Sequence, residues 1–377
     1  MDGIPRMVSM EYIVGPPPPH ISPTKLPNQQ IRRVMGRQTA RFALHQRRTH
    51  GERGPHGARA QNRKIVLVSQ NGQCDSHGTR IQNEEAGVSD PTPGSDITLR
   101  AYTTDDLSAA HALSAAVRWR HRPEDWRFAA RIGDGIVAVD ESGAIVGTAF
   151  AWAFGPNAAT LGMLIVKPSH QRCGIGRAMI EHWMQALDSR TLLLHASDAG
   201  LPLVERLGFT RTGRIHQHQG AAFQPPLVSL PAGERLRPIG ASDRPRLIEL
   251  ATRASGLDRS DMLPKLLETA SGIALDRDGT LIGFALFRRF GDGHVIGPVI
   301  APDSPDACRA KALISHWLAS NAGMFVRIDT PVDLGLSDWI ESVGLPLVDT
   351  IEKTERGAPL PVDTEFKQFA ITSQAVW

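Results

Sequence analysis

Cysteine, tyrosine and long apolar runs are what this 377-residue chain has least of. Its three cysteines, Cys74, Cys173 and Cys308, are far apart and odd in number. That spacing speaks against a disulfide framework and for a reducing compartment. No apolar stretch approaches the roughly 18 residues of a membrane helix, so no membrane span is expected. The first residues lack the apolar core of a secretory signal, which makes the cytoplasm the expected location. No His, Cys, Asp or Glu cluster has metal-ligand spacing and no Ser-His-Asp arrangement is visible, so no metal is expected. The chain also has no Gly-x-Gly-x-x-Gly and no Gly-Lys-Ser/Thr, which removes the dinucleotide fingerprint and the P-loop.

What is present is globular in composition. Hydrophobic residues make up 41% and charged residues 21%, enough to build the cores of two or three domains. The net charge of +3 is unevenly spread: residues 1–95 hold 13 Lys/Arg against 7 Asp/Glu, which leaves the remainder mildly acidic at −3. This first stretch is rich in Pro, Gly, Arg, Gln and His, with Pro16 to Pro19 in a row, and carries no sustained periodicity. It has too little apolar surface to offset ordering entropy, which predicts a disordered basic extension. Its Arg-rich text between Arg32 and Lys64 could meet RNA or anionic lipid. With almost no aromatics there is no stacking platform, so a solvated tail is the better reading and nucleic acid is not an expected partner. Part of residues 1–60 is further expected to be translated upstream sequence rather than native protein.

From Ile97 the pattern changes. A strand over 97–101, a helix from Thr103 to about Val117 and a second helix from Pro123 to Ile132 are followed by a hairpin over 135–154 around Glu141-Ser142-Gly143. A strand over 158–166 then runs into Val166-Lys-Pro-Ser-His-Gln171-Arg172-Cys173-Gly174-Ile175-Gly176-Arg177. Ile175, Ala178, Met179, Trp183, Ala186 and Leu187 share one helical face, so a helix begins inside this loop. Such a junction leaves the first helical N–H groups pointing into the loop, where the helix dipole favours an anion and glycine admits one close to the backbone. The spacing predicts a pyrophosphate cradle.

Strand, Gln-x-x-Gly-x-Gly loop and helix together resemble the acetyl-CoA-binding motif of the GNAT family of N-acetyltransferases. The buried-strand text Thr191 to Ala196 and the segment Leu203-Val204-Glu205-Arg206-Leu207-Gly208-Phe209 resemble the family's splayed strand and the helix after it. Upstream, Trp119-Arg120-His121-Arg122-Pro123-Glu124-Asp125-Trp126 looks like a GNAT subgroup whose members carry two such domains. The fold implied is α/β (α+β): tandem GNAT-like domains, each a mixed, mostly antiparallel sheet flanked by helices, over 96–222 and 223–377.

The second half repeats the first. Adding 134 places Val166-Lys-Pro168 on Ile300-Ala-Pro302 and Ala178-Met-Ile180-Glu-His182-Trp183 on Ala312-Leu-Ile314-Ser-His316-Trp317. Self-similarity at this length means duplicated domains, not a solenoid. The copy has lost the cradle, because Gln171 becomes Pro305, Gly174 becomes Cys308 and Gly176 becomes Ala310. Proline offers no N–H and a Cβ blocks close approach, so one acetyl-CoA site is expected, in the first domain.

The resemblance implies direct acetyl transfer from acetyl-CoA to the amine of a small-molecule acceptor. It places the pantetheine arm along Leu164, Ile165 and Val166, and the pyrophosphate on Gln171, Arg172, Cys173, Gly174, Ile175, Gly176 and Arg177. Many relatives hold a tyrosine acid where Val204 stands, and the chain's only tyrosines are Tyr12 and Tyr102. His195 and Ser197 are then the candidates for proton handling, with Asp198 either beside them or capping the next helix. Asp125 or Glu124 could hold an ammonium group, or simply open a charged helix. The missing tyrosine also keeps open a non-catalytic acyl-CoA-binding or regulatory protein.

Overall fold

The computed structural model describes residues 63–66 and 96–376. The expected basic extension therefore lies outside the described residues, as does its upstream-sequence reading, except at Arg63–Val66. That segment departs from the expectation: it is a strand, β1, paired antiparallel with the first strand of the folded part.

In the first half the elements are β2 (Asp96–Ala101), α1 (Leu107–Ala116), α2 (Pro123–Ile132), β3 (Asp134–Val139), β4 (Ile145–Phe154), β5 (Ala158–Val166), α3 (Ile175–Ala186), β6 (Thr191–Ala196), α4 (Leu201–Arg206) and β7 (Thr210–Ala221). In the second they are β8 (Glu234–Pro238), α5 (Arg244–Ser255), α6 (Met262–Leu267), β9 (Ser271–Arg277), β10 (Thr280–Phe290), β11 (Gly293–Pro302), α7 (Cys308–Ser320), β12 (Phe325–Pro331), α8 (Ser337–Ser342), β13 (Leu347–Arg356) and β14 (Phe366–Ala370). The repeat read in the sequence is a repeat of structure, with α7 and α8 standing where α3 and α4 stand.

A paired device that periodicity does not reveal recurs at both entrances. Arg100 binds Asp106 through both terminal nitrogens at 2.7 Å, and Asp106 also accepts the Thr103 N–H. Arg237 binds Asp243 at 2.7 and 2.9 Å, and Asp243 accepts the Gly240 N–H. The arginine holds each carboxyl below its usual range, against the opposing effect of burial.

The two halves do not keep separate sheets. One sheet runs β1-β2-β3-β4-β5-β6-β13-β7-β12-β11-β10-β9-β8, with β14 added on β11. A late strand of each half sits in the other: β13 lies between β6 and β7, and β7 lies between β13 and β12. This exchange corrects the picture of two self-contained sheets. A strand reads as hydrophobic alternation whichever neighbour it pairs with, so sequence pattern does not reveal it.

Side-chain alternation buries both faces. On one, α1, α2, α5 and α6 share a single core holding Trp126, Phe150, Trp152, Leu250, Leu263 and Phe284. On the other, α3 and α4 close a core around Met179, Leu192 and Val204, and α7 and α8 close a second around Leu313, Ile328 and Ile340.

Candidate functional site: the splay between two parallel strands

Among the described residues two strand pairs are parallel, β5 with β6 and β11 with β12. The first pairing runs from Ala158↔Thr191 to Leu161↔Leu194 and then stops, although both strands continue. The cause lies in β5. Between Gly162 and Ile165 its register with β4 shifts, and Met163 adopts φ 49°. A bulge there turns the strand away from β6. The Thr148 hydroxyl donates to the Met163 carbonyl at 2.8 Å and fixes the bulge from behind.

Past the bulge, Lys167 N–H donates to Val146 O at 2.8 Å, so alternation turns the backbone groups of Leu164 and Val166 away from β4 and into the splay. Ile165 is buried at 3% exposure, with its side chain in the core; it can offer a ligand no more than backbone. Val166 O accepts from Gln171 Nε2 at 3.0 Å, which ties the loop back to the strand.

The loop then climbs through two left-handed residues, Arg172 at φ 64° and Gly174 at φ 84°. Gly174 is the N-cap of α3 and no side chain caps the helix. The first-turn N–H groups of Ile175, Gly176 and Arg177 have no acceptor within the helix. Gln171, Arg172, Gly174 and Arg177 are exposed, Cys173 and Gly176 half-buried, and Ile175 anchors the turn in the core. A Cβ on Gly176 would meet Leu203 and Val166 at 3.6 and 3.7 Å, ordinary contact, so alanine is tolerated there and glycine at 174 is the demanding position. A bulged strand, a splay and an uncapped helix start in one line fit an acyl-CoA: a cradle for its diphosphate and an edge for its amide-bearing arm.

The second half keeps the bulge, since the register of β11 with β10 shifts between Ile296 and Val299, but it lacks the open splay and the uncapped helix start. Its β11–β12 pairing also stops, at Ile296↔Ile328, but β14 fills the gap by pairing with Val299 to Pro302. At the start of α7, Ala307 stands at the cap position and the Asp306 carboxylate accepts the Cys308 N–H at 3.2 Å. Glu234, pinned by Arg277 and Arg309, adds a second acidic group on the first turn of that helix. The Asp306 carboxylate thus occupies a first-turn N–H that a diphosphate would need.

The splay of the first half opens into a cavity of about 360 Å³. Its near wall is Gly162, Met163, Leu164, His195, Ser197 and Val204. Its far wall comes from β7 and the second half, through Gln217, Phe290, Arg327, Asp349 and Gln374. None of these five was picked out by sequence reasoning. They lie far apart in the chain, and only the strand exchange and the path of the C-terminus bring them together.

Of the three expected catalytic residues, two line the cavity. His195 is half-buried on β6, and its Nδ1 lies 2.8 Å from the Gln374 carbonyl. A carbonyl only accepts, so Nδ1 carries the hydrogen and the lone pair is on Nε2. Burial, helped by Lys353 directly opposite on β13, pushes its pKa down to about 4, so the ring is neutral at pH 7. Ser197 is exposed on the rim, and its carbonyl accepts from Gly200 and Leu201 N–H. That turn, with Gly200 at the cap, is how α4 starts, so Asp198 does not cap it.

Asp125 is not in the cavity. It is buried at 6% exposure, and its carboxylate accepts from the backbone and guanidinium of Arg122 and from Gly291 N–H. Burial alone would raise its pKa, yet these donors hold it below the ordinary value. With its acceptor sites filled it cannot take an ammonium group, which corrects the expectation. Glu124 is exposed and paired with Arg127. The segment Arg118 to His121 just before does reach the cavity.

Among the described residues no metal-holding cluster exists and no helix is long and apolar enough to cross a membrane.

Comparison with known proteins agrees with this geometry. Two family models, both described as acetyltransferase (GNAT) domains, match residues 132–211 and 247–370. The chain is 33% identical over 193 residues to the uncharacterised N-acetyltransferase YitH of Bacillus subtilis (strain 168), across 50% of this chain and 66% of that protein. It superposes on a putative acetyltransferase from Pyrococcus horikoshii with TM-score 0.60 at 20% identity, covering 80% of this chain and all of that one. A tandem GNAT protein from the clavulanic acid biosynthesis pathway gives TM-score 0.52 at 16% identity, covering 70% of this chain and 99% of that one.

Proposed function

Because the chain belongs to the GNAT acetyltransferase family, with two such domains in tandem, we propose that residues 96–222 form an acetyl-CoA-dependent N-acetyltransferase and residues 223–377 a copy without a cofactor site. The observation that carries this reading is the contrast at corresponding places: an open splay and uncapped helix at Gly174, against a gap filled by β14 at Pro302.

Acetyl-CoA, when bound, supplies an activated acetyl thioester. Backbone N–H groups from Arg172 to Arg177 hold the diphosphate, and Leu164 and Val166 align the arm and polarise the thioester carbonyl as its oxygen gains charge. The acceptor is a small-molecule amine that enters between the Arg118 to His121 segment and the far wall. Its nitrogen attacks the carbonyl carbon, the carbon–sulfur bond breaks, and coenzyme A leaves. His195, neutral and on the wall, takes the proton lost by the amine nitrogen, directly or through one water. Ser197 stands beside it as a hydroxyl donor. Val204 offers no proton, so coenzyme A departs as a thiolate, which its moderate basicity permits.

Val204 also supports a second reading, a non-catalytic acyl-CoA-binding or regulatory protein. Free-thiol release from acetyl-CoA in the presence of a panel of small amines separates the two. Amine-dependent release is expected; tight acetyl-CoA binding with no release for any amine would leave the binding-protein reading standing.

A further inference from the structure

On the far wall of the cavity, polar side chains face one another across strands. Arg327 on β12 stands directly opposite Gln219 on β7, and Asp329 opposite Gln217, which in turn faces Asp349 on β13. Residues directly opposite share a face of the sheet, so these five point the same way, and all but Asp329 line the cavity. Asp329 is fully buried and takes one edge of the Arg327 guanidinium, with Nε at 3.0 Å and Nη2 at 2.9 Å. Nη1 has no hydrogen-bond partner among the described residues, and the side chain is 18% exposed, so that end opens on the cavity. A run of amides ends beside it. Gln374 Nε2 donates to Gln217 Oε1 at 3.0 Å, and Gln217 Nε2 donates to Gln219 Oε1 at 3.4 Å. Gln219, half-buried, is left with its NH₂ group unengaged among the described residues.

We propose that this patch selects the acceptor: the amine substrate carries a carboxylate, whose two oxygens are received by Arg327 Nη1 and Gln219 Nε2, and Arg327 is the specificity-determining residue of the site. This rests on the acetyltransferase reading given above. Both free ends are donors and neither accepts, which suits an oxyanion and not an ammonium group. Two donors side by side match the two oxygens of a carboxylate. The second copy, without a cradle of its own, thus serves the first by supplying the group that recognises its substrate.

The charges of the wall agree. Arg118, Arg120 and Arg327 line the cavity against Asp292 and Asp349, and the cavity histidines, shifted down by burial, add no charge at pH 7. Behind the wall the buried Arg288 balances Asp329, and Arg288 and Arg327 both lie against the Phe290 ring, at 4.8 and 5.5 Å from its centre. One positive charge is left over for a ligand to neutralise. Asp349, exposed and accepting only the Thr350 N–H at 2.9 Å, repels a carboxylate and so directs it to the Arg327 end. A buried ion pair adds little stability, because desolvation offsets the attraction. Asp329 has a different use here: it holds one edge of the guanidinium still and so presents the other.

The test sets amino acids beside their primary amides on the full chain: glycine, β-alanine, γ-aminobutyrate, L-lysine and glycylglycine, each against its carboxamide. Calorimetry reads binding without acetyl-CoA, and thiol release reads turnover with it. At least one acid should bind and react, with kcat/KM at least ~10-fold above that of its amide, the worth of one hydrogen bond to a charged group. Arg327→Gln should bring the acid-to-amide ratio down to about one, chiefly by raising KM for the acid. Gln219→Leu leaves the Arg327–Asp329 pair intact and should lower the ratio about threefold, which keeps the test alive if the first variant fails to fold. No binding of any acid, no excess of acid over amide in the wild type, or a ratio that neither variant changes overturns the proposal. So does a preference for an aminoalkylphosphonate over the matching acid. Acids that bind in an Arg327-dependent way without thiol release would count against the acetyltransferase reading alone. Thiol release at equal rates for acid and amide would count against the carboxylate alone.

Discussion

Asp125 of the first half accepts a hydrogen bond from the backbone N–H of Gly291 in the second at 2.9 Å, across 166 residues of chain. The same carboxylate closes the capping box of α2 on Arg122, whose guanidinium in turn reaches Arg289 O at 3.1 Å. One buried charge therefore joins the loop on one lip of the cavity to the β10–β11 turn on the other.

Replacing Asp125 by alanine strands Arg122 and the Gly291 N–H. A loss of about 3 kcal/mol is expected, in the range for breaking a buried pair. Urea unfolding measures it. A change below about 0.5 kcal/mol, as for an ordinary surface site, would deny Asp125 its joining role.

Calorimetry should give one acetyl-CoA per chain. Gly174→Trp, which puts a Cβ at φ 84° and fills the cradle, should weaken binding at least ~100-fold, through backbone strain and blocked approach together. Pro305→Trp at the corresponding exposed loop of the copy should leave affinity unchanged. Two sites per chain, or the opposite response of the two variants, would refute the single-site assignment.

His195→Ala should lower kcat by about 10²- to 10⁴-fold, the usual worth of a positioned base, with little change in acetyl-CoA affinity. Since the base must be neutral and its pKa in the folded protein is about 4, no limb belonging to His195 should appear between pH 8 and near 5, once the titration of the free amine is divided out. A limb centred at 6.5 would show that a different, solvent-exposed group is titrating.

Acid stability should fall in a defined window. His121 is packed between Trp119 and Phe290, and burial, with Arg327 and Arg288 near it, lowers its pKa to about 4. Its folded value lies below its unfolded one, so the unfolded chain binds more protons between pH 6.5 and 4, and stability drops as pH falls through that range. At about 1.4 kcal/mol per unit the ring accounts for up to roughly 3 kcal/mol. His195, shifted to about the same value, acts in the same window, so His121→Phe should remove only its own share of the slope, and thermal melts at pH 7 and 5 measure the difference. Asp106 and Asp125, whose values are depressed, lose their contribution only at lower pH.

The local architecture was legible because it is written in short-range pattern. The strand over 158–166 and the helix over 123–132 stand where periodicity and a helix-opening proline put them. The loop and helix start were legible for the same reason: Gln171 to Arg177 are consecutive, and the apolar face that opens at Ile175 marks where α3 begins. Asp125 was misjudged because an acidic first-turn residue looks identical in sequence whether it faces water, an ammonium group or a buried N–H. Arg327 and Gln374 carried no signal at all. Their roles are set by which strand neighbours which, and β13 would alternate in the same way beside β12 as beside β6.

The exchanged strands also impose an order on synthesis. A ribosome making this chain releases residues 96–222 first, yet β6 has no partner on its open side until residues 352–356 have emerged. Nascent chains halted anywhere before that point carry an exposed sheet edge at their middle. The second half is thus held in the gene by geometry: losing it would leave its neighbour permanently half-built.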